Sequence, residues 1–346
     1  MKISIVSTLP EDQWRNYVDR HPDGNIFHTP EMFHVFEQVK GYRPELWAAV
    51  GENRKILALL LPVHISLSSG LLRRLTTRSI LFGGVLVDPG QEGKEALAVL
   101  LEAYKKGMDT RSLFTEVRNV SSCVEYQPIL NRAKFEYEDH LNYLIELGPK
   151  TEEVFNRIGH RTQRNIRHGI NQAKVAISEL HDRNELDVSY ELLTKTYRMA
   201  QVPLADRSLF EAAYDVLMPK GMMLVTTALV GASPAATSVD LLYKDTMIGW
   251  YGGMDRAYSS YTPNELLMWH VLQLGCERGY RMYDFGGAGK PNEEYGVRQF
   301  KAKFGGNLVC YGRNRWVPNQ ALLAICAVGY EGLRLVLSKK YAQDKG

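Results

Sequence analysis

Two short runs hold the residue types that can do chemistry. Tyr283-Asp284-Phe285-Gly286-Gly287 places a carboxylate and two glycines at the end of an aromatic, strand-like stretch, and Phe300-Lys301 places an ammonium beside an aromatic ring. In open α/β sheets, ligands sit at the carboxyl ends of strands. Glycines there let the backbone approach a ligand or take φ > 0; they equally suit an ordinary strand-to-helix turn. Asp284 can serve as a proton acceptor or simply accept turn N–H groups. Tyr251, ahead of Gly252-Gly253, reads either as a substrate contact or as a core tyrosine whose hydroxyl finds a partner.

The elements that must position these residues run from 247 to 312: strand, loop, helix, strand, glycine-rich turn, short helix, strand. Thr262 with Glu265 three residues on predicts a capping box, Pro263 suits the first helical position and Gly279 the stop. Leu267, Val271 and Leu274 share one helical face. Earlier, residues 1–147 alternate short apolar runs with helical stretches, which predicts an α/β (α+β layered) domain. Strands are expected over 3–6, 46–50, 56–65, 81–87, 113–117 and 141–147, and helices over 10–20 and 92–106. Gly148-Pro149-Lys150-Thr151 reads as a hinge into a second domain.

From Val154 to Ser178 there is no acidic residue. Arg157, Arg161, Arg164 and His168 follow i, i+4, i+7, i+11 and so share a predicted helical face, with His160 and Arg167 flanking; Phe155, Ile158, Ile166 and Ile170 give the opposite side an apolar stripe. Like charges at this spacing repel by tenths of a kcal/mol per pair. Either an anion such as a phosphate backbone compensates them, or the face is merely solvated.

The run Tyr283-Asp284-Phe285-Gly286-Gly287, Gly296-Val297, Phe300-Lys301 and Phe304-Gly305-Gly306, with Tyr251-Gly252-Gly253 and Asn264-Glu265-Leu266-Leu267 upstream, resembles the C-terminal signature of the Fem-type (FemABX) aminoacyltransferases. That resemblance implies tandem acetyltransferase-like (GNAT-like) domains and transfer of an amino acid from aminoacyl-tRNA to a peptidoglycan-type peptide precursor. It implies Lys301 as the cation at the transition state or tRNA end. Beside it, the Phe300 ring suits either stacking on the terminal adenosine or plain packing, and Asp284, as acceptor of the amine proton, is a second catalytic candidate. By the same resemblance Tyr251, Arg207 and Phe210 touch substrate, and Arg157, Arg161, Arg164 and Arg167 meet tRNA. One departure is visible. Met32, in His28-Thr29-Pro30-Glu31-Met32, stands where the family has a Trp, and Phe36 or Glu37 where it has a Lys linked with the acceptor's diphosphate, with Lys40 a turn later.

Composition sets the outer bounds. The chain has 346 residues, 45% of them hydrophobic and 23% charged, with net charge +3, an ordinary globular balance that by itself points to no nucleic acid. Cys123, Cys276, Cys310 and Cys326 are scattered, which predicts reduced, mostly buried thiols and no structural zinc. There is no G-x-S-x-G, no Walker A loop and no paired metal histidines. Residues 254–261, where an ordinary GNAT enzyme would place a glycine-rich pyrophosphate loop, contain no glycine. Residues 321–337 read as a buried C-terminal helix, interrupted by Glu331 and Arg334 and too short to span a membrane. The expectation is therefore a cytoplasmic protein without stable membrane insertion, metal or bound cofactor. It has tandem GNAT-like domains over 1–147 and 148–315, and a helix over 316–346 packs back on the first. Its predicted activity is aminoacyl transfer, with tRNA-independent acylation of a sugar or envelope-polymer precursor from an acyl thioester as the alternative.

Overall fold

The computed structural model describes residues 2–66, 73–108 and 112–326. They fall into two compact units. Of the described residues, those up to Gln13, those within Gly41–Glu138 and those from Arg313 to 326 form the first, and Trp14–Lys40 with Asp139–Gly312 form the second.

In the first unit a six-stranded sheet runs in the order Tyr42–Pro44, Pro62–Ser66, Thr77–Gly83, Thr115–Asn119, Arg313–Trp316, Glu136–Glu138, beside a four-stranded sheet. The helix Gln91–Met108 buries Leu97, Leu100, Leu101 and Tyr104 against Val117, Phe135 and Trp316. Two expected strands are divided. The 56–65 run breaks at Leu61-Pro62 and its halves join different sheets, since Pro62 has no N–H for a ladder. The 81–87 run breaks at Gly83 and Gly84, whose φ of +81° and +94° leave the extended region.

The second unit is built on one seven-stranded sheet. Its elements are β1 (Leu141–Glu146), α1 (Thr151–Arg157), α2 (His160–Gln172), β2 (Val175–Glu179), α3 (Glu185–Ala200), α4 (Arg207–Leu217), β3 (Met223–Val230), β4 (Ser233–Tyr243), β5 (Thr246–Met254), α5 (Pro263–Glu277), β6 (Met282–Gly287), α6 (Gly296–Ala302) and β7 (Asn307–Cys310). The strand order is β2-β3-β4-β5-β6-β1-β7. All pairs are antiparallel except β5 with β6. A cut at 147/148 therefore misplaces β1, which hydrogen-bonds β6 on one side and β7 on the other. Gly148-Pro149-Lys150 is a turn inside this unit, leading from β1 into α1.

Helix α5 is buried on most sides, with Leu266, Leu267, Met268, Trp269, Val271 and Leu272 in the core. Its capping box does not form. Thr262 lies at φ +51° with no side-chain cap, and Glu265 instead accepts hydrogen bonds from Asn165 and Lys303, both at 2.9 Å. Gly279 does end the helix, at φ +79°. The C-terminal helix is seen over residues 320–326 only, where the side chains are exposed or half-buried rather than buried; Ile325 is 69% exposed. The rest of that expected helix lies outside the described residues.

Candidate active site

The parallel pairing of β5 and β6 is short. Thr246, Met247 and Ile248 pair with Met282, Tyr283 and Asp284, and the ladder stops there. Both strands continue without pairing to each other, β5 to Met254 and β6 to Gly287. The freed backbone edges need a space between them, and a cavity of about 740 Å³ occupies it. Its wall includes Gly249 to Met254 from β5, Phe285 to Gly287 from β6, Tyr197 and Met199 from α3, Leu267 and Met268 from α5, and Tyr295 to Val297, Phe300 and Lys301 around α6. This is a strand-carboxyl-end site of the kind the glycines suggested.

Lys301 lines the cavity yet is only 8% exposed. Its Nζ donates to three carbonyl oxygens at the end of β6: Phe285 at 2.5 Å, Gly287 at 2.8 Å and Gly286 at 3.3 Å. An ammonium has three protons, so each is matched. Burial pulls its pKa down to about 8, against the opposing pull of Asp284. Asp284 itself is buried and is not part of the cavity wall. Its Oδ1 accepts the Gly286 N–H at 2.7 Å and its Oδ2 faces the Asn142 amide at 3.5 Å. Burial pushes this carboxyl up to about 6, offset in part by Gly286 and Lys301. Asp284 thus accepts a turn N–H, the plainer of its two sequence readings.

Tyr251 lines the cavity, packed against Tyr197, Trp250 and Phe210 with ring centroids 4.8–5.9 Å apart. Phe210 is 1% exposed and stands behind Tyr251 rather than in the wall. Arg207 is exposed and bonded to Asp187 and Glu211, so its guanidinium is engaged away from the cavity lining. Phe300 is in the wall, edge-on to Phe304 and under the Lys303 ammonium at 5.6 Å.

The basic face is shorter than its spacing predicted. Arg157 ends α1, the chain turns at Ile158-Gly159, and α2 begins at His160; Gln163 closes the break by donating to the carbonyl of Ile158 at 2.7 Å. Arg161, Arg164 and Arg167 remain together on α2 and are exposed. Arg167 sits over the Phe155 ring at 5.0 Å. Among the described residues no carboxylate pairs with Arg161 or Arg164. Of the apolar stripe, Ile158 and Ile166 are buried, but Ile170 is 56% exposed, because α2 turns Thr162, Ile166 and Gly169 inward instead.

Residues 160–301 match the acetyltransferase (GNAT) domain model, and no curated protein matches the chain by sequence. Among solved structures, that of FemX superposes at TM-score 0.72 with 15% identity, covering 94% of this chain and 99% of that one. The fold is that of a tandem GNAT protein, as in FemX. A tandem GNAT protein from the clavulanic acid biosynthesis pathway follows at TM-score 0.59 and 10% identity, over 92% of this chain and 99% of that one. The C-terminal domain of a putative lysylphosphatidylglycerol synthetase from Agrobacterium fabrum gives 0.57 and 13%, over 91% and 93%. The second unit thus carries the acetyltransferase (GNAT) domain, and the cavity at the β5–β6 splay lies within it. Among the described residues no cluster of His, Cys, Asp or Glu suits a metal, no disulfide forms, and no helix is long and apolar enough to cross a membrane. Of the cysteines, Cys123 and Cys276 are buried, whereas Cys310 is exposed.

Sequence reasoning missed Tyr197, Trp250, Ser238 and Asp240. The first three line the cavity. Trp250 is the extra residue of a β-bulge, since Val239 faces Tyr251 while Asp240 faces Gly249. Asp240 did leave a signal: it is a lone charge in the apolar run Val239-Asp240-Leu241-Leu242.

Proposed function

We propose that the protein is an aminoacyltransferase that moves an amino acid from aminoacyl-tRNA to an amine of a peptidoglycan-type precursor. The observation that carries this reading is the cavity at the splayed ends of β5 and β6 with Phe300 and Lys301 in its wall, in a chain that follows the FemX fold over 94% of its length. Amide formation from an ester requires a neutral amine held about 3–3.5 Å from the carbonyl carbon, which positioning alone accelerates greatly. The charge that grows on the carbonyl oxygen is then stabilised by fixed positive charge in a water-poor site. Lys301 supplies that charge through its field, because its three protons already hold the end of β6. The Phe300 ring offers a stacking surface to the terminal adenosine, a contact worth about 1–3 kcal/mol. The exposed Arg161, Arg164 and Arg167 face supports phosphate binding with counterion release.

The match to an acetyltransferase (GNAT) domain favours a second reading, N-acylation from an acyl thioester. The two separate in one assay. Purified protein is given radiolabelled aminoacyl-tRNA with a UDP-linked stem pentapeptide, or acetyl-CoA with an amino sugar. Transfer that RNase abolishes supports the tRNA donor, and RNase-insensitive transfer from the thioester overturns it. Lys301→Met is expected to cut turnover about 10²–10³-fold, the scale for removing a preorganised charge. Arg161→Ala with Arg164→Ala is expected to flatten the salt dependence of tRNA binding by roughly two contacts' worth of slope. An unchanged slope returns that face to a solvated role.

A further inference from the structure

Asp240 is fully buried in β4, and its two carboxylate oxygens each accept one hydroxyl. Tyr283 Oη donates to Oδ1 and Ser238 Oγ to Oδ2, both at 2.7 Å. No lysine or arginine is paired with it among the described residues. Burial, Asp240 itself and the other carboxyl of this neighbourhood, Asp284 on β6, all keep the Tyr283 hydroxyl protonated, and so a donor. Taking an uncompensated carboxylate out of water costs stability, and the backbone is shaped to keep it. Tyr283 reaches Asp240 across the intervening strand β5, over Gly249, where that strand has no side chain in the way. A Cβ on Gly249 would lie 2.6 Å from the Tyr283 hydroxyl. Ser238, two residues before Asp240, points to the same face of β4, is half-buried, and lines the cavity, as does Tyr283. The buried carboxylate is therefore one hydroxyl removed from the space where substrate would bind.

We propose that Ser238 and Asp240 form the proton relay of the transfer reaction, with Ser238 meeting the reacting nitrogen and Asp240 acting through it. The inference rests on the acyl-transfer reading, whichever donor is used. As the new N–C bond forms, the nitrogen passes one proton to Ser238 Oγ while the Ser238 hydroxyl proton moves to Asp240 Oδ2. As the bond from the carbonyl carbon to the leaving oxygen or sulfur breaks, that proton returns through Ser238 to the leaving atom. Asp240 begins and ends as a carboxylate, so no other reactant is required. Burial pushes the Asp240 carboxyl up to about 6, and the hydroxyls of Tyr283 and Ser238 draw it back down. This leaves it ionised, and more basic than a surface aspartate, near neutral pH.

The test measures kcat, KM and their pH profiles from pH 5 to 9 for the intact protein, in whichever of the two assays above turns over. Asp240→Asn and Ser238→Ala are each expected to lower kcat by on the order of 10²-fold, the usual size of a general-base contribution, with KM little changed. The wild-type acid limb near 6 disappears in Asp240→Asn. In Tyr283→Phe the limb moves to higher pH, because the carboxylate loses one donor. Circular dichroism checks that each variant is folded; should Asp240→Asn not fold, Ser238→Ala and Tyr283→Phe carry the test. Wild-type kcat and pH profiles in folded Ser238→Ala and Tyr283→Phe overturn the relay while leaving acyl transfer standing. No transfer by the wild-type protein from either donor overturns acyl transfer, and the relay with it.

Discussion

At the scale of single residues, the second unit buries two carboxyls and an ammonium close to its cavity: Asp240, Asp284 and Lys301. Asp284 and Lys301 act on each other electrostatically; Asp240 has only hydroxyl partners. Its carboxyl is raised from 3.8 to about 6 by burial. A raised carboxyl contributes stability that is complete below the unfolded value and is lost as pH climbs through the folded one. Wild-type protein should therefore lose roughly 2–3 kcal/mol between pH 4 and 7.5 from this group, and Asp240→Asn should not. Urea midpoints of the two proteins at both pH values test this, since Asp284 is common to both. A gap that does not change with pH would mean that Asp240 is not titrating in the fold. Phe300-Lys301 and the Asp284-glycine run were legible because their spacing is local. Asp240 was visible as a misplaced charge, but its meaning depends on Tyr283 and on the missing side chain of Gly249. Those residues come together only when β4, β5 and β6 are laid side by side.

At the scale of elements, α2 is held against α5 by a close approach rather than by a broad apolar stripe. Gly169 faces Leu266, and a Cβ there would stand 2.7 Å from Leu266 Cδ1, while Asn165 reaches Glu265. Gly169→Ala should cost about 1–3 kcal/mol by overpacking, because the Leu266 side chain has to shift. A thermal melt and tRNA binding at fixed salt separate packing from charge: the melt should fall while the Arg161 and Arg164 contacts persist. An undiminished melting temperature would show that the helices have slack. The basic face was legible as composition, but its length was not. Periodicity continues through Ile158-Gly159 on paper, whereas α1 ends there and α2 starts afresh with Gln163 closing the gap. The splay of β5 from β6 was equally hidden, since it follows from where a ladder stops.

At the scale of the whole chain, the second unit is assembled from two distant pieces. Residues 14–40 bring Ile26, Phe27, Met32, Val35 and Phe36, all buried, and their helix Pro30–Glu37 packs on α4. Lys244 donates to the carbonyls of Val18 and His21, both at 2.8 Å. A fragment of residues 139–312 alone should fail to give a cooperative thermal transition by circular dichroism. Adding residues 14–40 as a separate peptide should restore one. A fragment that melts cooperatively alone would make the early segment dispensable. Neither this composition nor the true edge at 138/139 could be read from the sequence, because both are fixed by pairing between segments far apart along it.

The strand Arg313–Trp316 lies between Thr115–Asn119 and Glu136–Glu138, and Trp316 fills the core beside Tyr104 and Phe135. During synthesis, both of its neighbours leave the ribosome long before it is made. At about 5–20 residues per second, the growing first unit waits on the order of ten seconds or more with a sheet that lacks an inner member. Its open edges are then exposed to any other extended chain, while everything encoded between has time to fold. The half of the protein that begins first is thus the half that is finished last.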